Sequence, residues 1–182
     1  MHTIPDLGIP EVKPAIELYR GELRQKMSPR FTHARLQGRL NALLDAWAEG
    51  RGRVGSEWRF YFIERDGKPN SSLVSDIAFL SYDRLPYEAT DEAERPMIAP
   101  DIAIEIRSPD DRDADVAEKI ELYRAYRTPW VIVVDPRSQS IDVYDLARDL
   151  PQHFSGNDVA PIVLDFRIDL QALFAPPAPP KG

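Results

Sequence analysis

The chain has 182 residues, 43% hydrophobic and 29% charged, the balance of one folded globular domain with a real core. A net charge of −7 argues against a generic nucleic-acid coat, though not against an enzyme with one local basic surface. No apolar run approaches the ~18 residues of a membrane span, no secretory leader is visible, and zero cysteines exclude disulfides and thiolate metal sites and suit the cytoplasm.

Residues 1–14 carry Pro5, Pro10 and Pro14 without periodicity and read as an arm. Apolar and polar residues then alternate on both sides of Gly21, from Ile16 to Arg20 and from Glu22 to Met27, which predicts an N-terminal β-hairpin. Ser28 as N-cap and Pro29 as first helical residue open a long helix. Its apolar face comprises Leu36, Leu40, Leu43, Leu44 and Trp47, and Gly50 and Gly52 stop it. His33 falls in the first turn, either as an ordinary helix-end residue or as a residue at the mouth of a site. Strands are predicted over 58–63 and 73–80, separated by turn chemistry at 66–70. The charged stretch 82–99 reads as loop. A buried strand follows at 101–107, then a helix from Asp113 to Arg127 closed by Thr128-Pro129, then an apolar strand at 130–134. Ile141 to Tyr144 pairs back on it, and one or two edge strands and a short closing turn complete a domain over 15–175. Pro176, Pro177, Pro179 and Pro180 mark 176–182 as an extended tail. The order predicts a mixed α/β fold with one sheet, two main helices and a parallel crossover over 101–134.

Two carboxylates interrupt apolar strands, Asp76 and Glu105. Burying each is costly unless something positive meets it. If their strands are neighbours, the two lie about 5 Å apart. Two oxygen ligands, waters and a phosphate suit magnesium, which keeps several waters and takes few protein ligands. Such an ion polarises a phosphodiester and generates hydroxide. Asp101 lies about 13 Å from Glu105 along its strand at roughly 3.3 Å per residue, too far to share an ion. The positive partner is Lys119, one helical turn before Tyr123, with Arg107 as a phosphate contact, since arginine makes a poor base. Glu22 is a further acid for the site or an exposed edge-strand residue. The competing reading of Asp76, Glu105 and Lys119 is a structural ion-pair network.

Taken together, Ile16 to Leu23, Ser28-Pro29 with His33, Val74 to Phe79, Pro100 to Pro109, Glu118-Lys119 with Tyr123, and Val131 to Pro136 resemble, in order and spacing, the Uma-type bacterial family of restriction endonucleases. That family lies in the PD-(D/E)xK nuclease superfamily, and the resemblance covers roughly residues 16–175. It implies a restriction-endonuclease-like mixed β-sheet flanked by helices and a Mg2+-dependent (or Mn2+-dependent) endonuclease acting on DNA. It assigns Asp76 and Glu105 as the two metal-binding acids, the Ile106 main-chain carbonyl as a third ligand, and Lys119 as the helix lysine replacing the superfamily's strand lysine. This chain has Arg107 where the superfamily has that lysine, and Ser75 where the family often has proline. A homodimer would supply two sites for a duplex. The alternative is a catalytically silent binding or interaction module on the same fold.

Overall fold

The computed structural model describes residue 9 and residues 12–64 and 69–178. Most of the expected arm (1–8, 10 and 11), the end of the expected tail (179–182) and the turn at 65–68 lie outside the described residues. Strand β1 (Ile16–Tyr19) and β2 (Glu22–Gln25) form the hairpin, with Tyr19 opposite Glu22. Arg20 and Gly21 between them have φ of 47° and 90°, the positive values that a tight two-residue turn requires.

Helix α1 (Phe31–Ala48) begins later than Ser28-Pro29 suggests, with Arg30 as an extended N-cap residue that makes no side-chain cap bond. The segment before it stays extended because the Lys26 amide donates to the Ala15 carbonyl and prolongs the hairpin. Leu36, Leu40 and Leu44 are fully buried, whereas Leu43 is 44% exposed and does not belong to the buried face. Trp47 packs edge-on against Phe79.

Strand β3 (Gly52–Ile63) and β4 (Pro69–Ser81) are longer than the apolar runs within them. After the short α2 (Thr90–Glu94) come β5 (Ile102–Ile106), α3 (Asp113–Ala125), β6 (Trp130–Asp135) and β7 (Ser140–Asp145). β5 and β6 are parallel, joined by α3, as the crossover length predicts. β8 (Gln152–Ser155) ends an eight-stranded sheet of order β2-β1-β4-β5-β6-β7-β8, with β3 also paired to β4.

The fold is mixed α/β, as expected, but it has two sheets rather than one. β9 (Val159–Val163) and β10 (Phe166–Asp169) make a separate hairpin, followed by α4 (Leu170–Phe174). These last elements cover the α1 face, where Ala160, Ile162, Phe166, Ile168, Leu170 and Leu173 join the α1 leucines in one core. The opposite face is covered by α3 through Ile120, Leu122 and Tyr123. Among the described residues no helix is long and apolar enough to cross a membrane.

Two glycines give opposite expectations. A Cβ on Gly52 would lie 2.4 Å from the Leu80 carbonyl oxygen, so Gly52→Ala forces backbone apart and should cost about 1–3 kcal/mol in denaturant unfolding. Gly38, exposed on α1 with nothing within 4 Å of a built Cβ, should gain about 1 kcal/mol on Gly38→Ala. Equal midpoints for the two variants would contradict this packing.

Candidate active site

One edge of β4 is shared by two partners. β1 meets it at Leu18–Ser72, and β5 takes over at Ile77–Ile104, while β3 runs along its other edge. Between those points, among the described residues, no strand pairs with that edge, and the backbone groups of β4 and of the end of β5 there need other partners. Charged side chains supply them. The Val74 amide donates to Glu17 Oε1 at 2.8 Å, the Val74 carbonyl accepts from Lys26 Nζ at 2.9 Å, and the Ile106 amide donates to Asp76 Oδ2 at 2.8 Å.

A slip in the pleat turns Asp76 into this gap. Leu73 and the Ser75 hydroxyl face α3, but Ile77 and Phe79 face α1. Residues two apart on a regular strand share a face, so alternation breaks at Asp76. β3 breaks with it, since Val54 faces the α1 core and Trp58 the α3 core. Glu57 lies opposite the break with φ of 50°, a conformation costly for a non-glycine residue. Gln37 of α1 braces the slip, donating to the Asp76 carbonyl at 2.9 Å and to Glu57 Oε1 at 3.1 Å.

Two charged clusters result. In the first, Asp76 Oδ1 accepts from Lys26 at 2.7 Å, and Oδ2 lies 3.2 Å from His33 Nε2. Burial alone would raise the Asp76 pKa, but the Lys26 ammonium and the His33 contact outweigh it and hold the carboxyl well below the usual range. The same partnership raises His33 against its own burial. In the second, Glu105 accepts from Lys119 at 2.7 Å and from the Tyr123 hydroxyl at 2.6 Å. Lys119 also meets Glu17 at 3.0 Å, and Tyr19 donates to Glu17 at 3.0 Å. Burial pushes Glu105 up to about 7, against the pull of Lys119. Lys119 is itself raised well above its ordinary value because Glu105 and Glu17 outweigh burial, so it stays charged.

Asp76, Glu105, Lys119 and His33 therefore line one cleft of ≈ 800 Å³ between the hairpin and the start of α3. The β4–β5 register runs from Ala78–Ala103 to Ile77–Ile104, and its next step sets Asp76 opposite Glu105. Arg107 also lines the cleft but lies beyond the end of β5, its guanidinium held by Asp113 at 2.5 Å. Glu22 does not join the site: it stands on the edge strand β2, exposed, and pairs with Arg24. The acid from the hairpin is Glu17, on the inner strand, where it is only 4% exposed. Glu17 and Lys26 are the residues that sequence reasoning missed. The signal for Glu17 was its place in the strand with the larger apolar residues, Leu18 and Tyr19; Lys26 gave none beyond its charge.

Among the described residues no three His, Asp or Glu side chains are grouped so as to hold a metal by themselves. The oxygen donors available are two carboxylates and a carbonyl. Ile106 turns its amide to Asp76 while the next amide, Arg107, turns to Val134, so the Ile106 carbonyl points into the same gap as its amide. That set fits magnesium, which relies on water for its remaining ligands, better than zinc.

The family model described as "Uma2: Putative restriction endonuclease" matches residues 6–175. Among solved structures, the crystal structure of a putative nuclease belonging to DUF820 from Anabaena variabilis ATCC 29413 is 28% identical, with a TM-score of 0.80. The match covers 93% of this chain and 94% of that one. No curated protein matches the chain.

Lys119 neutralises two inward carboxylates, so Lys119→Ala should cost about 3–5 kcal/mol of unfolding free energy. A loss under about 1 kcal/mol would mean that the pairs are not formed. Because Glu105 binds its proton more tightly when folded, stability should rise as pH falls from about 7 toward the ordinary glutamate value of 4.5, and Glu105→Gln should flatten that limb. Asp76, shifted the other way, contributes stability that is lost only as pH falls below its ordinary 3.8. Denaturant midpoints measured across this range check both signs.

Proposed function

The chain belongs to the Uma2 family, a nuclease family, and from that premise we propose that it is a Mg2+-dependent endonuclease that hydrolyses DNA phosphodiester bonds, with Mn2+ able to replace Mg2+. The observation that carries the reading is the convergence of Asp76 and Glu105, from adjacent strands, on one cleft with Lys119 2.7 Å from Glu105. Asp76, Glu105 and the Ile106 carbonyl would hold the ion. When bound, a divalent ion polarises the phosphodiester and lowers the pKa of a water.

The chain's own residues divide the remaining work. Lys119 is kept cationic between Glu17 and Glu105, so it stabilises charge developing on the phosphate rather than accepting a proton. Arg107 offers a permanent charge to a phosphate at the cleft wall. Tyr123, fully buried, fixes the Glu105 carboxylate and is itself fixed by Ser75 at 2.7 Å. With Glu105 ionised and His33 neutral, the three inward carboxylates, Glu17, Asp76 and Glu105, exceed the two ammonium groups by one negative charge. A divalent ion reverses that excess, and a phosphodiester restores balance. A homodimer would present two such clefts to a duplex.

A silent binding module on the same fold has one observation in its favour: Asp76 and Glu105 are each already paired with a lysine. The two readings separate by experiment. The purified protein should nick supercoiled plasmid with Mg2+ or Mn2+, and Lys119→Gln should slow cleavage by about 10²–10³-fold. No cleavage of DNA with either ion, together with no Mn2+ site in calorimetry that Glu105→Gln abolishes, would favour the silent module. Since a proton on Glu105 competes with the ion, Mn2+ affinity should rise about tenfold per pH unit below about 7 and level off above it. An affinity independent of pH from 5 to 8 would place the ion elsewhere.

A further inference from the structure

Lys26 has no part in the catalytic scheme above, yet its ammonium is paired directly with Asp76. It follows β2 directly, and only 13% of its side chain is exposed. Its ammonium faces three oxygens: Asp76 Oδ1 at 2.7 Å, the Val74 carbonyl at 2.9 Å and Glu57 Oε2 at 3.3 Å. An ammonium has three donors, so all three are used. The seat is made of hard oxygen donors, the kind that also suit a magnesium-like ion.

The two oxygens of Asp76 are not equivalent. Oδ2 is tied to the Ile106 amide and faces His33, and both contacts come from groups fixed by the fold. Oδ1 is tied to a side chain with a flexible stem. A divalent ion reaching Asp76 therefore meets the Lys26 ammonium at the oxygen that can be freed, and two cations at that range repel strongly. Lys26 also has somewhere to go. Its second carboxylate, Glu57, is 47% exposed and is already in contact. Lys119 differs, because Glu17, its second carboxylate, is buried and holds it in the site.

We propose that Lys26 is the resident cation of Asp76, and that a divalent ion binds by displacing its ammonium toward Glu57. The inference rests on the metal-dependent reading given above. Lys26 is then a positioning residue: it keeps Asp76 ionised and in place without metal, and it sets how tightly the metal binds. Its own charge persists, because Asp76 raises its pKa against the effect of burial.

The test is Mn2+ binding by calorimetry, with thermal melting of the metal-free and Mn2+-loaded protein alongside. Lys26→Met keeps the stem and removes the charge. It should bind Mn2+ about tenfold or more tightly than the wild type. Its metal-free form should melt lower, and Mn2+ should restore it by more than it raises the wild type. Lys26→Arg, which keeps the charge, should stay near wild-type affinity. If Lys26→Met does not fold, Lys26→Gln, which can still donate to Asp76, carries the same comparison. A merely structural lysine would weaken Mn2+ binding on removal. Unchanged or weaker affinity in a folded Lys26 variant, beside a wild-type site that Glu105→Gln abolishes, overturns the proposal and leaves the metal reading intact. No such site in the wild type or in any variant overturns both.

Discussion

A split in one strand's pairing governs the rest of this molecule. β4 gives one whole edge to β3, but its other edge passes from β1 to β5. Backbone amides and carbonyls cannot be left buried without partners at that handover. Glu17, Lys26 and Asp76 serve as those partners, so the residues that complete the sheet are also the residues that charge the cleft. Structure and chemistry are not separable here. Deleting one of these side chains removes both a charge and a backbone hydrogen bond.

The same arrangement explains how so many charges coexist beneath the surface. Each inward carboxylate has an ammonium and at least one neutral donor, and each lysine bridges two carboxylates. Pairing of this kind offsets desolvation without clearly exceeding it, so it is a weak source of stability. Stability comes instead from the two apolar cores on either side of the sheet, anchored by the α1 leucines and by Tyr123 with its neighbours. Three inward carboxylates share two lysines, and the residual negative charge favours a cation.

Much of this was legible in the chain. Asp76 and Glu105 stand out because they interrupt apolar runs, and Lys119 because it lies one turn before Tyr123 on a helix closed by Thr128-Pro129. The parallel crossover follows from its length. The rest depended on tertiary pairing. Leu18 and Tyr19 beside Glu17 are the one local sign that separates it from Glu22; the sheet order, with β1 inner and β2 at the edge, is what buries it. The pleat slip at Asp76 needs Glu57 at positive φ, which glutamate's residue type does not announce. The helix began at Phe31 rather than at Ser28 because the hairpin's last bonds hold the preceding segment extended. The β9–β10 hairpin could not be told from further edge strands of the main sheet, because alternation fixes a face and not a partner.

The account's central claim is that Asp76 and Glu105 share one divalent ion. A crystal of the protein soaked in Mn2+ and measured for anomalous scattering tests it most directly. The account predicts a single strong peak within about 2.5 Å of a carboxylate oxygen of each residue, with the Ile106 carbonyl completing the protein ligands. A peak elsewhere, or none in the cleft with both lysines still seated on the acids, would contradict it.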